Sequence, residues 1–349
     1  MEILPATSSG AELSPSLAML QMIAGFRISR AIYVAAKLGI ADLLKDGPLS
    51  SEELAQRTGT HALSLYRVMR ALASASIFAE NDQHQFVLNP LAATLGNDVP
   101  GSLRAWAIAS LGDEGYQTWG DLMYSVRTGE IAFDHVFGTG VWQYRAQHPE
   151  DARVFDEAMA NTAKIANAAV LNECSFSGFN KIVDVGGGDG GFLIDILTAN
   201  PNLKGVLIDL PHVAEKAKRR IVDAGLTGRC EVVGGDIFTS VPPGGCGYVL
   251  SRVVNSFDNE RSITILKTCR QAMGVEAKLI LVQRVLPDRA ESSSIAQTVY
   301  AIDLQMMVTT GGRERTVTEH RELLAAAGFQ ITRIVRTQSE MSVVECVPV

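Results

Sequence analysis

A chain of 349 residues with 47% hydrophobic content is long enough for two domains and a large buried core. Its 31 basic and 38 acidic residues leave a formal net charge of −7, and the only dense basic cluster, Lys216 to Arg220, is too short to indicate a nucleic-acid partner. The cysteines (Cys174, Cys230, Cys246, Cys269 and Cys346) are scattered without a close pair, which argues against a disulfide framework or a zinc site, so no metal is expected.

The first twenty residues lack a charged leader region, and no apolar stretch is read as long enough for a membrane span, so a cytoplasmic protein is expected. Residues from about Ser14 to Asn172 read as almost entirely helical. Ser16 to Leu38 carries apolar residues at helical spacing (Leu20, Ile23, Phe26, Ile32, Val34, Ala35), and Gly39 is placed to stop it. Ser50 and the acidic pair Glu52-Glu53 open a second helix, and Leu63 to Ser74 forms a third. Phe78 to Leu88, with Asn81-Asp82 near its centre, reads as a hairpin. Helix, helix, hairpin is the order of a winged helix. With only Arg67 and Arg70 as strong cations on the would-be recognition helix, DNA binding is disfavoured.

From about Phe176 strand and helix alternate, the pattern of a doubly wound α/β sheet. Strands are expected at Lys181–Val185, Gly205–Asp209, Cys230–Val233, Gly247–Ser251, Ala277–Arg284, Phe329–Arg336 and Met341–Pro348. The last two have no helix between them and read as a closing antiparallel hairpin. After the first strand come five glycines in six positions, Gly186 to Gly191, interrupted only by Asp189. Such a turn brings backbone close to a ligand, because a Cβ would clash or force a disallowed φ. Asp184 precedes the glycines, Asp209 ends the second strand, and Asp236 closes the third. A carboxylate at the tip of the second strand accepts from both ribose hydroxyls, and one at the third from an adenine amino group. Acids beside the glycine turn would repel a pyrophosphate. The ligand that fits is adenosine-bearing, cationic and free of phosphate: S-adenosyl-L-methionine.

Four motifs in order, Asp184-Val-Gly-Gly-Gly-Asp-Gly, Asp209-Leu-Pro, Gly235-Asp236-Ile-Phe and Gly312-Arg313-Glu314-Arg315-Thr316, resemble those of the class I S-adenosylmethionine-dependent small-molecule O-methyltransferases. That family includes the caffeic acid, acetylserotonin and carminomycin methyltransferases. The likeness runs from about Gln21 to Val347 and is nearest to the bacterial phenazine methyltransferases. It implies a Rossmann-like methyltransferase sheet, an N-terminal winged-helix dimerisation domain (residues 1–100), a helical linker and acceptor-pocket segment (101–172), a cofactor domain (173–349) and a homodimer. It also implies a small aromatic substrate, with no nucleic acid, membrane or metal as partner. Cofactor contacts are expected from Asp184, Gly186, Gly188, Asp209, Leu210, Gly235, Asp236, Ile237, Ser251 and Arg252. Acceptor contacts are expected from Trp106, Tyr116, Phe155, Met159, Asn161, Asp303, Met306 and Met307.

The catalytic segment departs from the resembled pattern. The family carries a histidine base after the fourth strand, where this chain reads Val253-Val254-Asn255-Ser256-Phe257-Asp258-Asn259-Glu260. Asn255 stands at the histidine position, and an amide takes no proton at neutral pH. Asn255 and Glu314 are the catalytic candidates, Asn255 as a hydrogen-bond donor to the acceptor or only as a turn cap. His135 and His148 lie where substitutes for the base could come from. Without a base, methyl transfer relies on holding nucleophile and methyl close and in line. That suits an already acidic hydroxyl, as on a hydroxyphenazine, or a ring nitrogen of a phenazine carboxylate. Non-methyl chemistry on the bound cofactor is the remaining alternative.

Overall fold

The structure is a computed structural model, and it describes residues 14–349. Most of the expected leaderless N-terminus therefore lies outside the described residues. Two compact units divide the chain after Gly112.

In the first unit a long helix, Pro15–Leu38, is capped by the Ser14 hydroxyl and ends at Gly39, whose φ of +67° places it in the left-handed region. Its outward face carries exposed Leu20, Ile23 and Phe26. With 24 residues and a mean hydropathy of 1.2, this helix does reach membrane-span length, which corrects the sequence reading. Its apolar residues are spread around the helix, where a search for one unbroken run overlooks them. Strand β1 (Leu49–Ser50) leads into the helix Ser51–Thr58 through a capping box of Ser50 and Glu53. The helix Ala62–Ser74 follows, then an antiparallel hairpin of β2 (Ala79–Glu80) and β3 (Gln85–Val87). The Asn81 side chain organises that turn by accepting from the amides of Gln83 and Gln85. β1 joins as the third strand, against β3. Leu54, Met69, Leu72, Phe78 and Phe86 fill the core beneath.

The second unit is built on seven strands. β4 (Lys181–Val185), β5 (Lys204–Asp209), β6 (Cys230–Gly234), β7 (Gly247–Ser251) and β8 (Lys278–Gln283) run parallel, and β11 (Phe329–Arg336) and β12 (Ser342–Pro348) complete the sheet. The order is β11-β12-β8-β7-β4-β5-β6, with β12 antiparallel to both neighbours. The closing hairpin is thus present, and β12 slots between β8 and β11. Two short strands, β9 (Val285–Leu286) and β10 (Arg315–Thr316), pair in parallel outside the large sheet. Helices cover both faces, and two cores result. One centres on Val183, Leu250, Leu281 and Val344, the other on Ile182, Leu193, Leu207 and Val249. Because four of the five parallel strands, β4, β5, β7 and β8, are buried on both faces, they read as near-continuous apolar runs, while the edge strand β6 exposes Glu231. In such a sheet ligands bind beyond the carboxyl ends of the strands where the order reverses, here between β4 and β7.

Candidate active site

The glycine turn leaves β4 at that switch point. Gly186 has φ +69°, and a Cβ on it would stand 2.9 Å from Val253 Cγ2. A Cβ on Gly187 would stand 2.6 Å from an Asp184 carboxylate oxygen, so the turn closes directly over that acid. Gly188 also has positive φ, +59°, and its amide donates to Asp209 Oδ2 at 2.8 Å. The Leu210 amide donates to Asp209 Oδ1 at 2.7 Å, which fixes the carboxylate at the end of β5 while leaving each oxygen a second lone pair. Asp236, just past β6, is exposed and accepts from the Phe238 amide at 2.9 Å. Gly235 packs against Ile208, and Ile237 reaches toward Gly186.

Three polar atoms of two side chains at this end of the sheet are buried without partners. Both Asp184 oxygens and the Ser251 hydroxyl make no hydrogen bond. A buried unpaired carboxylate is costly, and burial pushes the Asp184 carboxyl up to about 7, with Asp209 and Asp189 adding repulsion against the pull of Arg252. Arg252 itself sits at φ +57°, strained for a side chain of its size. Burial, then the nearby Arg284, holds its guanidinium below the usual range. A cationic, adenosine-bearing ligand with an anionic tail fits this donor set: hydroxyls for Asp209, a positive charge for Asp184 and a carboxylate for Arg252.

Beyond β7 the chain makes a short 3₁₀ turn, Val254–Ser256, carrying Asn255. Asn255 is 5% exposed and Glu314 2%, and Asn255 Nδ2 donates to Glu314 Oε1 at 2.9 Å. Asn255 therefore does not cap the following helix; the Asp258 carboxylate does, accepting from the Arg261 amide. Glu314 likewise does more than precede its helix, whose capping box is Thr316 with Glu319. Burial raises the Glu314 carboxyl, opposed by Arg284 and Asn255. Arg284 links Glu314 (3.5 Å) to Glu340 (3.1 Å) in the hairpin loop. Asn255 Oδ1, Glu314 Oε2 and Arg284 Nε remain buried and unpartnered beside one another's hydrogen-bonded atoms. Asn255 Nδ2 also keeps a second hydrogen, because Glu314 takes only one.

Asp303, on the helix Ser294–Thr309, accepts from the Glu314 amide at 2.8 Å, so it holds the segment that carries Glu314. Met306 and Met307 are half-buried on the same helix. Met159 and Asn161 are half-buried on the helix Pro149–Glu173, and one face of the Phe155 ring is covered by the Arg145 guanidinium at 3.5 Å. Tyr116 is exposed. Trp106 belongs to the helix Arg104–Leu111 of the first unit.

The histidine substitutes are engaged elsewhere. His135 Nδ1 meets Asp121 at 2.6 Å with its ring stacked on Tyr124, and His148 Nδ1 meets the Tyr144 carbonyl at 2.8 Å. His320 is buried, and its Nδ1 pairs with the Thr316 carbonyl. Sequence reasoning missed Arg284 and Arg315. The rule that sites gather at strand carboxyl ends could have flagged Arg284, the first residue after β8.

Residues 119–330 match the O-methyltransferase domain family, and residues 20–98 match its dimerisation domain. The chain belongs to the O-methyltransferase family. It is 44% identical to the phenazine O-methyltransferase PhzM of Lysobacter antibioticus, over 95% of this chain and 96% of that one. The crystal structure of LaPhzM superposes with a TM-score of 0.89 at 43% identity, covering 97% of this chain and all of the other. The phenazine-1-carboxylate N-methyltransferase of Pseudomonas aeruginosa is 30% identical over 94% of this chain and 96% of its own. As an O-methyltransferase the protein is an S-adenosylmethionine-dependent enzyme, in agreement with the cradle at Asp184 and Asp209.

Proposed function

We propose that this O-methyltransferase methylates an acidic hydroxyl of a small planar aromatic natural product of the hydroxyphenazine type. The observation that carries this reading is the buried Asn255–Glu314 pair: an amide stands where a proton-accepting imidazole would serve, and its second N–H and Oδ1 remain for the acceptor. The bound cofactor supplies a methyl group on a sulfonium. Asp184, Asp209 and Arg252 hold that donor, while Asn255 orients an acceptor oxygen that is already anionic, so rate comes from proximity and alignment. Arg284 offsets the Glu314 charge beside that oxygen. Asp303, Met306, Met307, Phe155, Met159, Asn161 and Tyr116 are assigned to the acceptor pocket on the likeness to the family.

A second reading, methylation of a ring nitrogen, is favoured by the same amide, since a nitrogen lone pair needs no base, and by the N-methylating relative. We further propose that the enzyme is a cytoplasmic homodimer. The match to a dimerisation domain, the exposed apolar face of the first helix and the unpaired cysteines support this. Incubation with methyl-¹³C-labelled cofactor and a panel of hydroxyphenazines and phenazine carboxylates, read by mass and carbon NMR, tests the chemistry. A labelled methyl ether is expected; label only on ring nitrogen selects the second reading, and no label in any acceptor refutes both.

A further inference from the structure

The segment Gly312–Arg315 touches the Asn255 turn with four consecutive residues, each by a different device. Gly312 lies so close that a Cβ would stand 2.2 Å from the Asn255 carbonyl oxygen. The Arg313 amide donates to that same oxygen at 2.9 Å. Glu314 accepts from the Asn255 side chain at 2.9 Å. Arg315 completes the set: Nη1 donates to the Val254 carbonyl at 3.1 Å and Nη2 to the Phe257 carbonyl at 3.0 Å, on either side of Asn255.

Arg315 is 1% exposed, the bulkiest of the fully buried side chains, and every hydrogen bond recorded for it goes to a neutral oxygen. Nε and Nη2 share Asn259 Oδ1 at 3.1 and 3.0 Å, and Nη2 also reaches the Ser262 hydroxyl at 3.3 Å. A buried cation bound only to neutral carbonyl, amide and hydroxyl oxygens is an expensive way to fill a core. A guanidinium alone among side chains can hold two carbonyls on one rigid fork. The backbone of Arg315 is itself fixed by the pairing of β10 with β9 and by Asp303 on the preceding amide.

We propose that Gly312–Arg315 is a jig that aims Asn255 at the acceptor, with Arg315 as a positioning residue acting through Asn255. The inference rests on the reading that Asn255 meets the acceptor. Its test uses the full-length enzyme, S-adenosylmethionine and 1-hydroxyphenazine. Arg315→Lys keeps the charge but loses the fork, and kcat is expected to fall about 10- to 100-fold, the effect of a misplacement near 1 Å. Cofactor affinity by calorimetry should stay within about twofold, because the Asp184–Asp209 cradle is built from other segments. In an Asn255→Ala background, Arg315→Lys should cost little more, since the residue it aims is gone.

Asn259→Ala serves as a milder variant if Arg315→Lys does not fold: it removes an exposed residue's oxygen that accepts twice from Arg315, and a smaller kcat loss with unchanged cofactor affinity is expected. Hydrogen exchange adds a readout independent of turnover. The Arg313 amide should lose protection in both variants, while residues 182–192 keep theirs. Losses that add in the double variant, parallel loss of cofactor affinity, or unchanged exchange at Arg313 would overturn the jig. An unimpaired Asn255→Ala would instead remove the contact on which it rests, whereas an impaired Asn255→Ala beside an unimpaired Arg315→Lys overturns the jig alone.

Discussion

Replacing Asp184 with asparagine should stabilise the ligand-free enzyme and weaken cofactor binding at the same time. In the folded protein burial lifts this carboxyl from 3.8 to about 7. Between those values the native state binds more protons than the unfolded chain, so stability falls as pH rises through this window and is flat above it. The rise from 3.8 to about 7 corresponds to about 4 kcal/mol as an upper bound on the cost carried at about pH 8. Asparagine escapes that cost, so the melting temperature of the ligand-free variant at about pH 8 should rise by several degrees. Binding moves the other way. If the carboxylate form receives the cationic ligand, roughly one molecule in eleven is competent at about pH 6 and ten in eleven at about pH 8, so Kd weakens about tenfold on acidification. In the variant that slope vanishes and Kd rises by about 10- to 100-fold, the loss of a hydrogen bond to a charged group worth ~1.5–3 kcal/mol. Calorimetric titration with S-adenosylmethionine across this pH range, with melting curves alongside, measures both. A wild-type affinity independent of pH, or a variant that melts lower at the alkaline end, would refute the reasoning.

Asn255→Ala should lower kcat about 10- to 100-fold with little change in cofactor affinity, as expected for a group that orients the acceptor. Gly312→Ala places a Cβ 2.2 Å from the Asn255 carbonyl, so a lowered melting temperature and a larger loss of turnover are expected; wild-type values for both would show that the turn yields freely. Leu20→Glu combined with Ile23→Glu puts charge on the exposed face of the first helix, and light scattering is expected to report a dimer for the wild type and a monomer for the double variant.

Much of the second unit was legible because its parallel strands are apolar runs bounded by glycine, acid and proline. All seven large strands fall within one residue of their expected ends, and the glycine turn with Asp184 and Asp209 sits at the switch point. The smaller pieces were not legible. β1, β9 and β10 are two residues each, too short for any periodicity to show, and the stretch from Arg104 to Gln147 breaks into short helices. The helix Pro15–Leu38 was read from its periodicity and its stop at Gly39, but its membrane-span length was not, because Gln21, Arg27 and Arg30 interrupt its apolar residues. At the site, the sequence displayed Asn255 and Glu314 as separate candidates 59 positions apart, and only folding reveals that one hydrogen-bonds the other. Arg315 was hidden more deeply. An arginine next to a helix start reads as surface, and its burial depends on carbonyls offered by a turn about sixty residues away.

The central claim is that the acceptor's own acidity, and no imidazole of the enzyme, provides the nucleophile. The pH dependence of kcat/KM, measured for two hydroxyphenazines of different hydroxyl pKa, tests it most directly. The rising limb is predicted to move with the pKa of the acceptor, and Asn255→Ala should lower the whole curve without shifting it. A rising limb that stays at one pH for both acceptors, in the range of a histidine, would contradict the account.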